Sequence, residues 1–235
     1  MFYLNYGKAP LNDVRVRKAL NLAIDRRQFT AVSTLGLGDA ASSLLPPEYW
    51  ASNPAIRESY DPERARKLLA EAGHPNGITL TAVGLPDQAW QQRQEILISM
   101  LAKAGIKLNV VRLAPAAALS RFFKDRQDDI FISLWTGRAD PTTTMAGLFG
   151  TKAFFNAGQI DPTEGVLTRA IEQTRRIADP AKRRQAMHEA QEILHKEALF
   201  SPLNFETQIM AHGKKVKGFV PNLLGKPRFH DVHVK

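Results

Sequence analysis

Apolar positions along the 235-residue chain follow two different periods. From Ile78 to Gly84, and again from Ile106 to Leu113, apolar and polar residues alternate, as in a half-buried strand. Between them Trp90, Leu97 and Leu101 recur at helical spacing, predicting a helix from about Gln88 to Ala104 that Gly105 ends. Strand, helix and strand at this spacing form a βαβ unit, so the two strands should be parallel with a right-handed crossover. A third run, Ile130 to Trp135, is rich in β-favouring apolar residues and predicts the buried central strand.

The remaining pattern is mostly helical. Asn12-Asp13 can cap a helix from Val14 to Phe29, whose stripe is Val16, Leu20, Ala23 and Ile24. Asp61-Pro62 and Asp179-Pro180 each put a capping carboxylate before a proline at the first helical position. The first of these helices should end at Gly73, and the second should bury Met187, Ala190, Ile193 and Leu194. Further helices are predicted over Ala116–Lys124 and Pro162–Ala178. Phe2–Tyr6 reads as a short strand and Leu199–Ala211 as extended chain broken by Pro202. Ser33–Asn53 and Met145–Ile160 read as loops, and Val216–Lys235 as turn-rich. With no internal repeat or low-complexity linker, the chain reads as one α/β domain, a mixed sheet with flanking helices.

Composition narrows the function. No apolar run approaches the length of a membrane span. Met1 runs directly into F-Y-L-N-Y, with neither the basic n-region nor the small-residue cleavage site of a secretory signal. The absence of cysteine excludes disulfides and thiolate chemistry. A net charge of +9 makes a basic anion- or nucleic-acid-binding domain the alternative reading. The basic residues are scattered over several helices beside acids, however, which reads as solvated faces, and no nucleic-acid recognition signature accompanies them. A metal-dependent hydrolase has weaker support. His230 and His233 flank Asp231 in a segment whose valines favour extended chain, which sends the two rings to opposite faces. His188 and His195 mark the polar edge of a helix, and Asp128-Asp129 read as a solvated strand start. No nucleophile elbow or phosphate loop is present.

The densest candidate chemistry follows the central strand. Ligands of open α/β sheets bind beyond the carboxyl ends of strands. There this chain places Trp135, Thr136, Gly137, Arg138 and Asp140, an indole, a hydroxyl, a flexible turn residue, a guanidinium and a carboxylate.

Five ordered segments carry a resemblance. They are N-D-V-R-V-R-K-A-L-N-L-A-I-D-R-R-Q-F (Asn12–Phe29), L-L-P-P (Leu44–Pro47), Y-D-P-E-R-A-R-K-L-L-A-E-A-G (Tyr60–Gly73), L-W-T-G-R-A-D-P (Leu134–Pro141) and V-K-G-F-V-P-N-L-L-G (Val216–Gly225). Together they resemble the extracytoplasmic solute-binding proteins of ABC importers, in particular the peptide/nickel-binding family. The resemblance implies one lobe of a periplasmic-binding-protein type II-like fold spanning residues 1–235, the carboxy-terminal lobe with its hinge-proximal strands. The amino-terminal lobe has no counterpart here. It further implies a periplasmic or extracytoplasmic location, no catalysis, no cofactor and no metal, and no nucleic acid. The implied partners are a peptide or small organic solute, a membrane permease and the missing lobe. An isolated lobe should also expose apolar surface around Trp50, Trp135 and Phe149 and could self-associate through it.

One departure bears on the ligand. Peptide-binding members carry an acid in the turn after the tryptophan, where it meets the peptide's amino group. Arg138 stands at about that place here, with Asp140 two residues later. A guanidinium fork suits a carboxylate or phosphate, and it equally suits a structural clamp on the neighbouring acid.

Overall fold

The computed structural model describes residues 1–221 and 228–235. The part of the resembling segment Val216–Gly225 from residue 222 onward therefore lies outside the described residues. The sheet at its centre is built from β1 (Phe2–Leu4), β3 (Ile78–Gly84), β4 (Ile106–Arg112), β5 (Ile130–Ile132) and β6 (Phe200–Ser201), in the order β4-β3-β5-β1-β6. A ribbon of β2 (Gly38–Ala40) and β7 (Asn204–Glu206) stands apart, as does a pair formed by β8 (Val216–Lys217) and β9 (His233–Val234). β3 runs parallel to both β4 and β5, as the βαβ pattern requires, whereas β1 is antiparallel to β5 and β6.

The helices are α1 (Val14–Leu22), α2 (Arg26–Ser33), α3 (Pro62–Glu71), α4 (Gln88–Lys103), α5 (Pro115–Leu119), α6 (Pro141–Phe149), α7 (Val166–Arg176) and α8 (Pro180–Lys196). Local chemistry explains where they start. The carboxylates of Asp13, Asp61, Asp87 and Asp179 each accept a backbone N–H of the first turn. Leu80, Ala82 and Val83 of β3, Leu97 and Leu101 of α4, and Ile130 and Ile132 of β5 are buried in one continuous core.

Several elements differ from expectation. Val14–Phe29 is two helices, because Asp25 accepts from the N–H of Gln28 at 3.0 Å and starts a second one. Arg26 then satisfies the carbonyls of Asn21 and Ile24 that the break frees. The segment Met145–Ile160, expected as loop, begins inside α6, which opens at Asp140-Pro141 with the same signal as α3 and α8. Ala116–Lys124 is α5 followed by a π-helical turn, Ser120–Lys124, closed by Asp125 N–H donating to the Ser120 carbonyl at 2.9 Å. α7 starts only at Val166, after Gly165 with φ of 85°. The central strand stops at Ile132, and Leu134 is already 53 % exposed.

Charged groups also depart from the solvated-face reading. Arg17 and Arg26 are buried, with their guanidiniums on backbone carbonyls. Asp128 and Asp129 are buried at the start of β5, Asp128 held by Arg121 at 2.7 Å and Asp129 accepting from Thr81 N–H at 2.8 Å. Each buried charge has found the partners that burial demands.

Candidate functional site

Chain leaving β5 turns outward at Leu134 and returns into α6 at Pro141, and the intervening turn is anchored at both ends. At its start the buried Tyr3 hydroxyl donates to the Leu134 carbonyl at 2.8 Å, and burial raises the phenol's pKa, keeping it a donor. Near its end Tyr49 donates to the Ala139 carbonyl at 2.7 Å. From α6, Thr144 Oγ1 accepts from the Arg138 N–H at 3.1 Å and from Trp135 Nε1 at 3.5 Å.

Asp140 and Arg138 are treated differently by this frame. Asp140 is the N-cap of α6, accepting from Thr142 N–H at 2.8 Å, and it pairs with Arg183 of α8 at 2.6 Å. Arg183 also donates to the Thr174 carbonyl at 2.9 Å and its guanidinium lies 5.7 Å from the Trp50 ring centre. Burial is the largest single influence on the Asp140 carboxyl and pushes its pKa up. The hydrogen bonds from Arg183 and Thr142 outweigh it and hold the group below the usual carboxylate range. The clamp on this acid is thus Arg183 and not Arg138. Arg138 is exposed, makes no ion pair among the described residues, and rests its guanidinium 5.8 Å from the Trp135 ring centre.

The polarity of the rim follows. Two of its carbonyls are taken by tyrosine hydroxyls and its carboxylate by Arg183, whereas the N–H groups of Thr136 and Gly137 donate to no described residue. The carbonyls of Trp135, Thr136, Gly137 and Arg138 likewise accept from no described residue, so the turn leaves open donors, acceptors and one cation, Arg138.

Beneath the rim lies a pocket of about 350 Å³, lined by Trp135, Thr136, Gly137 and Arg138 above and by aromatic side chains below, among them Tyr3, Phe123 and Phe155. Four of the five residues predicted from the sequence therefore share one cavity, and Asp140, the N-cap of α6, is not part of its lining. The residues that sequence reasoning missed, Tyr3, Tyr49, Leu119, Phe123, Phe155 and Arg183, come from distant segments. Only the Asp140-Pro141 helix start could have signalled that the acid has a structural partner. A second hollow near Glu58 and His195 measures about 10 Å³, room for about one water. Of the apolar surface expected around Trp50, Trp135 and Phe149, Phe149 is buried in the core at 4 % exposure, and Leu134 and Phe154 take its place at the surface.

The model of the bacterial extracellular solute-binding proteins, family 5, matches residues 1–157, and the chain belongs to that family. It is 30% identical over 99% of its length to the dipeptide-binding protein of Escherichia coli, of which it covers 45%. It is 29% identical over 98% of its length to heme-binding protein A of Haemophilus influenzae, covering 43% of that protein. Its fold superposes on the periplasmic binding protein DppA of Helicobacter pylori, solved in complex with the peptide STSA, with a TM-score of 0.87 and 26% identity, covering 99% of this chain and 46% of that one. The chain thus spans less than half the length of these relatives, which are binding proteins by name.

Proposed function

We propose that this chain is one lobe of the substrate-binding component of an ABC importer and holds a peptide or small organic solute against the turn after β5. The carrying observation is Arg138, exposed and without an ion pair among the described residues, on a turn with open backbone groups that lines an aromatic pocket at a strand's carboxyl end, in a family of solute-binding proteins. Trp135 packs on the solute, Thr136 and Gly137 donate hydrogen bonds, and Arg138 receives an anionic group. Asp140, fixed by Arg183, sets the shape of the turn from its far end. The second lobe supplies the opposite wall, closure between the two is a hinge motion, and a membrane permease receives the solute from an extracytoplasmic receptor.

A single wall leaves the polar contacts in water, where an ion pair is worth about 0–1 kcal/mol. The isolated chain is therefore expected to bind short peptides and organic acids no better than roughly millimolar, about −4 kcal/mol. Calorimetry on this chain and on a two-lobed receptor containing it tests the reading. Tight binding that appears only with both lobes supports it, and equal affinity in the two proteins, or none in either, overturns it.

A further inference from the structure

The pocket below the rim has its own chemistry. Phe123 reaches it from the π-helical turn Ser120–Lys124, an irregularity often found at functional sites. Its ring meets Tyr3 edge-on at 5.4 Å and Phe155 at 5.3 Å, and Phe155 meets Trp135 at 5.1 Å. These rings form walls with edges and faces for another ring to pack against. Leu119, 37 % exposed, forms the open edge. Apart from Arg138, the lining group that could carry charge is Tyr3, and its hydroxyl is engaged by Leu134 and kept protonated by burial. The cavity therefore favours an uncharged, ring-sized group, and its mouth favours one negative charge. The volume, about 350 Å³, lies at the small end of ligand cavities and suits one ring with a short chain.

Resting on the reading of this lobe as a solute receptor, we infer that the site selects a carboxylate joined by a short spacer to one aromatic ring. The carboxylate lies on Arg138 and the turn N–H groups, and the ring packs against the wall formed by Phe123, Phe155 and Trp135. A free arylalkanoate and the carboxyl end of a short peptide terminating in an aromatic residue both carry this motif.

The test is NMR titration of the 235-residue chain with 3-phenylpropionate, propionate, 3-phenylpropan-1-ol and glycyl-phenylalanine. The ring should make 3-phenylpropionate about tenfold tighter than propionate, less than full burial of a phenyl group would give. Losing the charge should make the alcohol up to about fivefold weaker than the acid. Shifts should concentrate at Leu119, Phe123, Trp135 and Phe155. Leu119→Trp, which fills the pocket from its exposed edge, should bring the acid down to the level of propionate. Arg138→Ala should bring it down to the level of the alcohol. Whichever of glycyl-phenylalanine and 3-phenylpropionate binds tighter identifies the source of the motif. If 3-phenylpropionate binds no tighter than propionate to the unmodified chain, the inference is overturned whatever the variants do. Should propionate still shift Gly137 and Arg138 in that case, the anion-binding turn survives without the ring pocket. No shift at the turn with any of the four ligands would remove both.

Discussion

Arg26 and Arg138 carry the same guanidinium in opposite circumstances. Arg26 is buried where α1 meets α2 and its donors are spent on the Pro202 carbonyl at 2.6 Å, the Asn21 carbonyl at 2.9 Å and the Asn21 side chain at 2.9 Å. Glu58, with a side chain only 8 % exposed, lies 3.7 Å away. Arg138 sits on the turn after β5 with its guanidinium exposed and joined to no acid among the described residues. One arginine ties the chain's return strand to its first helices, and the other is left with donors to offer. A buried, fully partnered charge belongs to the fold, and a charge that the fold has left open beside a cavity is free to meet a ligand.

Substitutions should separate the two roles by size of effect. Arg26→Ala strands four acceptors, the carbonyls of Pro202, Asn21 and Ile24 and the Asn21 side chain, and leaves buried Glu58 with only the His195 ring beside it, so unfolding should become easier by about 3–5 kcal/mol, and Arg26→Lys should recover little because an ammonium cannot reach all four. Denaturant titration measures both. If Arg26→Ala costs no more than an ordinary surface change, the buried half of the comparison fails.

Asp140→Ala comes next, at about 1–2 kcal/mol at neutral pH for loss of the α6 cap together with the Arg183 pair. Its pH dependence has a definite sign. Folding holds the carboxyl below its unfolded pKa, so as pH falls the unfolded chain takes up the proton first. The stabilisation is complete above the unfolded value of about 4 and disappears as pH drops through the lower folded value. The variant should therefore lose part of the acid limb of the stability curve. Asp13, hydrogen-bonded by Arg15, and Asp161, where burial is outweighed by hydrogen bonds from Thr163 and Thr168, are held down in the same direction and keep the rest.

Tyr3→Phe removes the donor to the Leu134 carbonyl and should cost about 0.5–1.5 kcal/mol, with NMR shifts confined to the start of the turn. Arg138→Ala should change stability least, within about 0.5 kcal/mol, because among the described residues its charge meets only the Trp135 ring, at 5.8 Å and at an exposed position. Thermal unfolding of these two variants sharpens the contrast at its lower end.

What could be read from the sequence was local. The alternation in Ile78–Gly84 and the helical spacing after Gln88 found β3 and α4 almost to the residue, since the strand period, the helical spacing and the Gly105 stop all lie within or next to the elements they define. The end of α1 was not legible, because an unbroken apolar stripe through Ala23 and Ile24 concealed the second cap at Asp25. Buried charge was equally hidden. Arg17 looked like one more cation on a helix, and its partner, the Glu197 carbonyl, lies 180 residues away. The rim of the candidate site sits in six consecutive residues plus one helix start, so its chemistry showed. The pocket beneath is made by β1, the π-helical turn and the segment after α6, and no periodicity links Tyr3, Phe123 and Phe155.

The central claim is that Arg138 faces the solute while Asp140 serves the fold. Its most direct test is calorimetry on the two-lobed receptor with short peptides and organic acids, each paired with its neutral amide, before and after each substitution. Arg138→Ala should erase the preference for acid over amide, whereas Asp140→Asn should leave that preference in place while lowering stability. If Arg138→Ala leaves every affinity and every preference unchanged, the arginine is structural and the assignment of this turn to an anionic group is wrong.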